Sequence, residues 1–502
     1  MVRTIPFKLV SLHKPTPDQA EATEFLVDGV LRGVMHQTLH GITGSGKTRT
    51  MAEVIQELQC TTAVLTHNKT LGAQLYGEFT GFFPTAPVYF LHSPYGFYRP
   101  ESYNPRRDEY KKKIRGASDE EQEEWDNALS AFQDNRRVII VATTSALFPK
   151  GHRLAHATRP SLHQAVRGIE TELDERIDQF KQAGKALEAA QLQTRVGNDL
   201  QSLIQTGSCY CIENYSRHLD GREAGERPVC LFDLLPAERI VFIDESHVTL
   251  PQVRAMEPGF KKRMTNLVQN GFALPSALDG GPISFSAFEE LACPVIYVSA
   301  TPGEYELEKS DGRIAEQIIR PTGLLDPVVE VHPIGGQTEH LIGEIKSRAA
   351  RDEGTLVSCT TIRMAEYICD YLNGEGIPTG WMSADLAVAE RQQLLIELYE
   401  KRLYVIVGAN LLREGLDLPW VSFVAVLDAD DEGFLRDERS LIQLIGRAAR
   451  NVNGKAVLYG KTRTFSMRRA VEESDRRRGA QQQYNEENGI VPRSIIKPID
   501  EA

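Results

Sequence analysis

The chain is 502 residues long, enough for about two to four domains that each bury a core. A net charge of −12 argues against a protein that coats nucleic acid with its whole surface, although a local basic groove stays open. No apolar stretch reaches the roughly 20 residues of a membrane helix, "MVRTIPFKLV" lacks the apolar core of a secretory signal, and seven scattered cysteines without a CxxC pair suggest neither a disulfide framework nor a zinc site. The cytoplasm is the expected location, and Cys209 and Cys211 read as plain buried thiols.

In chain order, "MHQTLH" (35–40), "TAVLT" (62–66), "RVIIVAT" (137–143), "RIVFID" (239–244) and "PVIYVSA" (294–300) read as strands. So do "TLVSC" (355–359), "YVIVGA" (404–409), "VSFVAVLDA" (421–429) and "KAVLYG" (455–460). Apart from "MHQTLH", which reads as a strand because it leads into the P-loop, their near-continuous apolar runs fit strands buried on both faces. Helix-like stretches at 48–58, 68–79, 363–374 and 386–400 alternate with them, so the fold class is α/β with parallel sheets covered by helices. The early and late strands part at "RPTGLLDPVVEVHP" (320–333), where Pro and Gly suggest a hinge between lobes spanning 1–322 and 323–502. From Leu162, apolar residues at Val166, Ile169, Leu173, Ile177 and Phe180 keep helical spacing and resume through Leu187, Leu192, Val196 and Leu200 after Gly184. This predicts a helical hairpin within an insertion at about 160–236 of the first lobe.

Three motifs carry chemistry. "GITGSGKT" (41–48) matches a phosphate-binding P-loop: Gly41, Thr43, Gly44 and Gly46 let the backbone wrap phosphates, Lys47 reaches the terminal ones and Thr48 holds Mg²⁺. The helix that follows places an anion at its N-terminus. "VFIDESH" (241–247) ends an apolar strand with two acids, where Asp244 can hold Mg²⁺ and Glu245 can deprotonate a water. Acids ending a strand are also common in surface turns, and the P-loop is what favours the chemical reading. "QLIGRAAR" (443–450) puts Arg447 and Arg450 three apart on a predicted helix of the second lobe, able to stabilise a transferring phosphoryl group. The alternative is an ordinary surface helix.

A fourth stretch, "LHSPYGFYRPESY" (91–103), crowds Tyr95, Phe97, Tyr98 and Tyr103 just ahead of Tyr110 and a basic cluster of Arg106, Arg107, Lys111, Lys112, Lys113 and Arg115. Read alone, such rings belong to a core more often than to a binding face.

Together the P-loop, acid pair and arginines resemble superfamily 2 helicases, in which ATP lies between two RecA-like lobes. Longer phrases narrow the resemblance: "LTHNKTLGAQLYGEF" (65–79), "IENYSRHLDGR" (212–222), "IDESHVTLPQVR" (243–254), "YVSATPGEYELE" (297–308), "NLLREGLDLP" (410–419) and "LDADDEGFLRDERSLIQLIGRAARN" (427–451) are similar to the B-subunit family of the bacterial UvrABC excinuclease. The resemblance covers nearly the whole chain. It implies an ATP- and Mg²⁺-dependent, helicase-like protein that verifies DNA damage. Gln19 would recognise adenine, Ser299, Thr301, Gly415 and Asp417 would couple the site to lobe motion, and Arg447 and Arg450 would act as fingers. The segment at about 90–117 would be an aromatic β-hairpin passing between DNA strands, with Tyr95, Phe97, Tyr98 and Tyr103 stacking on bases and Tyr110 and Lys111 to Lys113 near its tip, where the lysines meet phosphates.

The partners implied are DNA, as damaged duplex, junction or single strand, and the A and C subunits. Departures accompany the match. Pro94 and Gly96 replace a ring and an aspartate usual in the family, and "WMSADLA" (381–387) replaces a His-Ser-acid triplet. Only "PKGHRLAHATRPS" stands where the family has its A-subunit docking domain, so that domain is expected to be missing, and the C-subunit-binding hairpin is expected to be missing after "VPRSIIKPIDEA". A diverged DNA-stimulated translocase outside the repair pathway, or an ATP-gated DNA clamp with negligible hydrolysis, are the rival readings.

Overall fold

The computed structural model describes residues 6–11, 13–92, 95–117, 119–134, 136–147, 161–290, 293–383, 386, 388–409, 418–433 and 435–494. Its strands begin with β1 His36–Gly41, β2 Thr61–Thr66, β3 Val88–Leu91, β4 Tyr95–Arg99, β5 Ser102–Asn104, β6 Glu109–Lys111, β7 Ile114–Ala117, β8 Ile139–Thr143, β9 Arg239–Asp244, β10 Val295–Ser299 and β11 Ile314–Gln317. They continue with β12 Val328–His332, β13 Gly354–Cys359, β14 Thr379–Met382, β15 Val405–Ala409, β16 Val421–Val426 and β17 Lys455–Tyr459.

Two α/β sheets carry the fold, in the orders β11-β1-β10-β9-β2-β8-β3 and β12-β17-β16-β13-β15-β14. In the first, β9, β2, β8 and β3 pair in parallel, as do β1 and β11. All five pairings of the second sheet are parallel. The nine runs read from sequence are the nine interior strands of these sheets. The four that escaped, β3, β11, β12 and β14, are their edges, where one side is open; the apolar run breaks in β11, β12 and β14 and is only four residues long in β3. Accordingly the stretch expected as a plain hinge at 320–333 contains a strand, β12.

The chain divides into two compact units: Met1–Ser11, Gly29–His36 and Ile55–Tyr297 form one, and Leu12–Asp28, Gln37–Val54 and Val298–Ala502 the other. The first carries the helical hairpin, Leu162–Gln182 and Ala186–Thr206. Ser161 and Gln164 form a capping box at its start, Gly184 turns the chain at φ +73°, and Gly207 caps the end in the left-handed region. Ile169, Ile177, Leu192 and Val196 pack along the seam. The same unit holds two antiparallel ribbons in place of one continuous hairpin: β4 with β7, and β5 with β6. The second unit holds the P-loop segment, the six-stranded sheet and the C-terminal helix Phe465–Asn488. All seven cysteines are free and buried, and no described helix is long and apolar enough to cross a membrane.

Candidate nucleotide site and aromatic hairpin

The P-loop leaves β1 and enters the helix Lys47–Leu58. Gly44 and Gly46 hold φ of +82° and +84°, a region glycine enters without the penalty a side chain meets. At Gly41 the constraint is space, since a Cβ there would lie 2.5 Å from Lys47 Cγ. Lys47 Nζ sits 3.4 Å from the Ile42 carbonyl oxygen, and Ser45 Oγ donates to the same oxygen at 2.9 Å.

The loop is braced from outside by residues the motif does not contain. Arg320 Nε donates to the Thr43 carbonyl at 2.9 Å. The Ser45 carbonyl accepts from Gln19 Nε2 at 2.7 Å and from Gln317 Nε2 at 2.5 Å, while Gln317 Oε1 accepts from Thr50 Oγ1. Gln19, expected to read adenine, has both ends of its amide engaged here, because Oε1 accepts from the Thr16 amide at 3.0 Å.

Asp244 is the last residue of β9 and only 4% exposed. Glu245 follows at φ 42°, ψ 51° and opens the helix Ser246–Gln269. A glutamate in this left-handed region carries about 1–2 kcal/mol of strain. The turn is held by its own backbone, with the Glu245 carbonyl accepting from the Val248 and Thr249 amides and the Asp244 carbonyl from Thr249 Oγ1 at 2.6 Å.

Sequence reading put both arginines on a helix. In the structure the helix Glu438–Ile445 ends before them; Arg447 lies in the short 3₁₀ turn Gly446–Ala448 and Arg450 follows it. A Cβ on Gly446 would be 3.9 Å from Thr43 Oγ1, so the turn bearing Arg447 lies against the P-loop. Gln443 Nε2 donates to Thr301 Oγ1 at 3.1 Å, and Ser299 Oγ accepts from the Thr301 amide, which links two of the expected coupling residues, Ser299 and Thr301, to Gln443. Gly415 and Asp417 lie outside the described residues.

Along the hairpin, Tyr95 faces Ala117 and Tyr98 faces Arg115 in the β4–β7 register, with an irregularity between Tyr95 and Phe97. Pro94 and the side chains of Tyr95, Phe97 and Tyr98 lie outside the described part. Tyr103 and Tyr110 pair across β5–β6 and pack on Phe272, with ring centroids 4.8 and 4.7 Å away. Tyr110 Oη donates to Glu101 Oε2 at 2.9 Å and accepts from Arg195 Nη1 at 2.8 Å; burial, then the Glu101 charge, push its hydroxyl well above the usual range. Glu101 is 3% exposed and also takes Arg195 Nη2 and Asn214 Nδ2. These two tyrosines therefore stand in a packed joint. Lys113 corrects an expectation: its side chain is buried against Glu213, leaving Lys111 and Lys112 as the exposed lysines of the run.

Two parallel α/β sheets, a P-loop and an arginine-bearing turn packed beside it define a helicase-type ATPase. Family profiles agree: "Type III restriction enzyme, res subunit" matches residues 12–166, "Helicase conserved C-terminal domain" 336–452, "UvrB third helical domain" 160–221 and "Ultra-violet resistance protein B" 458–500. The UvrABC system protein B of Caldicellulosiruptor bescii is 43% identical over 98% of this chain and 89% of its own length, and that of Gemmatimonas aurantiaca 41% over 99% and 85%. RecG bound to a three-way DNA junction shares the fold at 14% identity and TM-score 0.50, over 97% of this chain and 53% of that one. The chain belongs to the UvrABC system protein B family. It is an ATP-dependent, DNA-binding, helicase-like protein of excision repair.

Proposed function

We propose that the chain verifies DNA damage by coupling ATP turnover to a hairpin that tests the duplex, and that it does so in the cytoplasm. The observation that carries the reading is the P-loop, with its two left-handed glycines at a helix N-terminus and the Arg447 turn against Thr43. In this account Gly44 and Gly46 present backbone to the phosphates, Lys47 holds the terminal ones, and Arg447 and Arg450 stabilise charge on the transferring group, an effect of about 10³–10⁵ in rate. Thr48 and Asp244 would hold Mg²⁺: a hydroxyl and a carboxylate are the oxygen donors a hard cation prefers, and Asp244 is a buried strand-end acid. Bound there, the ion neutralises phosphate charge. Glu245 accepts the proton of the attacking water, Gln19 offers adenine the second N–H and second lone pair of an amide whose first ones serve Ser45 and Thr16, and Asp417 completes the nucleotide contacts. Tyr95, Phe97 and Tyr98 stack on bases without regard to sequence, while Lys111 and Lys112 take phosphates.

A second reading, a DNA-stimulated translocase outside the pathway, draws on the alignment with the Caldicellulosiruptor relative. That alignment runs over 591 positions against a chain of 502, so at least 89 positions face no residue here. Such a gap accords with a reduced or lost A-subunit docking domain; the C subunit is the other partner of the family reading. ATP turnover by the isolated protein decides between the two, measured without DNA, with intact duplex, with single strand and with duplex carrying one bulky adduct. Stimulation specific to the adduct supports verification, whereas equal stimulation by every DNA supports the translocase.

A further inference from the structure

A guanidinium buried behind the P-loop has no place in the motif chemistry. Arg320 is 3% exposed, and each of its three side-chain nitrogens donates to a different residue of the second unit. Nε donates to the Thr43 carbonyl, Nη1 to the Leu324 carbonyl at 3.0 Å, and Nη2 to the Asp326 carboxylate. Its backbone is clamped as well: the Arg320 amide donates to Gln481 Oε1 at 2.7 Å, and its carbonyl accepts from Gln481 Nε2 at 3.3 Å. Gln481 is fully buried in the C-terminal helix, so helix, Asp326 and P-loop meet at one residue, the helix at its backbone and the other two at its guanidinium.

The peptide plane converts this contact into a statement about the cradle. In a planar trans peptide the C=O and N–H point in opposite directions. With the Thr43 oxygen drawn to Arg320, the Gly44 N–H is turned away from it; with the Ser45 oxygen drawn to Gln317 and Gln19, the Gly46 N–H is turned away from them. We infer that Arg320 is a positioning residue for ATP binding, fixing the Thr43–Gly44 peptide so that its N–H serves the phosphates, with Gln481 of the C-terminal helix holding Arg320 in place. The inference rests on the P-loop binding ATP.

The test is fluorescence titration of the full chain with labelled ATP and ADP, with melting temperature recorded in parallel. For Arg320→Met the expected result is about tenfold weaker binding of both nucleotides, the loss of roughly one charge-assisted hydrogen bond to the loop. Gln481→Leu, which keeps the side-chain volume and leaves Arg320 intact, serves if Arg320→Met does not fold, and should weaken binding in the same direction by a smaller factor. Arg320→Lys should recover only part of the affinity, since one ammonium cannot serve both Thr43 and Asp326. A lowered melting temperature with unchanged nucleotide affinity in the folded variants would overturn the inference and leave Arg320 a structural strut. Failure of the unaltered chain to bind ATP would strike the reading of the P-loop itself, which is a separate result.

Discussion

Lys113 Nζ lies 2.5 Å from Glu213 Oε1, with the lysine side chain 1% exposed and the glutamate 17%. The pair ties the residue just ahead of β7 to the turn Ile212–Tyr215, which packs with the helical hairpin. Removing one partner of a buried pair leaves the other uncompensated, at about 3–5 kcal/mol when burial is complete. With Glu213 partly open, Lys113→Ala is expected to destabilise by about 2–3 kcal/mol in urea unfolding. The same change should leave the salt dependence of DNA binding alone, whereas Lys111→Ala and Lys112→Ala should each lower its slope by about 1. A slope that fell for Lys113→Ala in the folded protein would mean the buried pair opens onto DNA.

Glu245 joins a chemical role to a strained backbone. Glu245→Gln should keep ATP binding and cut turnover by at least about 10², the scale of general-base catalysis. Glu245→Gly should lose turnover equally yet stabilise the fold by up to about 1 kcal/mol, because glycine occupies φ 42° without the penalty glutamate carries. Steady-state hydrolysis and a denaturant midpoint check both; a Glu245→Gln variant that still turns over ATP would remove the residue from the role of base.

The rings of the hairpin should separate into two behaviours. Tyr95→Ala and Tyr98→Ala are expected to weaken DNA binding by about 1–3 kcal/mol per stacked base and to spare basal ATPase. Tyr110→Phe keeps the ring on Phe272 but deletes the hydroxyl that bridges Glu101 and Arg195, so it should cost about 1–3 kcal/mol of stability with little change in DNA affinity. If Tyr110→Phe changed DNA affinity as strongly as Tyr98→Ala, the packed joint would itself be a DNA contact.

Why the sequence spoke clearly in some places follows from the range of the interactions. The P-loop is written in eight consecutive residues because its geometry is local: a left-handed Gly44, a left-handed Gly46 and a Gly41 with no room for a side chain. Interior strands other than β1 showed as apolar runs because they are buried on both faces, and edge strands such as β11 did not. Contacts across long separations left no trace. Arg320 meets Thr43 from 277 residues away and Gln317 meets Ser45 from 272, so nothing in their neighbourhoods marks them as part of the nucleotide site. Lys113 looked like its neighbours Lys111 and Lys112 for the same reason, since its side chain is set apart by Glu213, 100 residues on.

Glu473 of the C-terminal helix sets an acid limit on the second unit. Burial alone would raise its pKa, but a hydrogen bond from Arg476 and the charge and hydrogen bond of Arg477 override it and hold the carboxyl at about 2, down from an ordinary 4.5. Arg476 also reaches Glu316 of β11 at 2.6 Å, so the cluster joins helix to strand. A carboxyl whose folded pKa is depressed stabilises the fold fully above its unfolded value and loses that contribution as pH falls through the folded one, here between about 4.5 and about 2. With solvent screening allowed for, the contribution is about 1–2 kcal/mol. Glu473→Gln should therefore be less stable than the unaltered chain at pH 7 by that amount, and the two should converge as pH drops toward 2. Urea midpoints measured across this range test it, and a stability difference that stayed constant with pH would show that the carboxylate's charge does not carry the interaction.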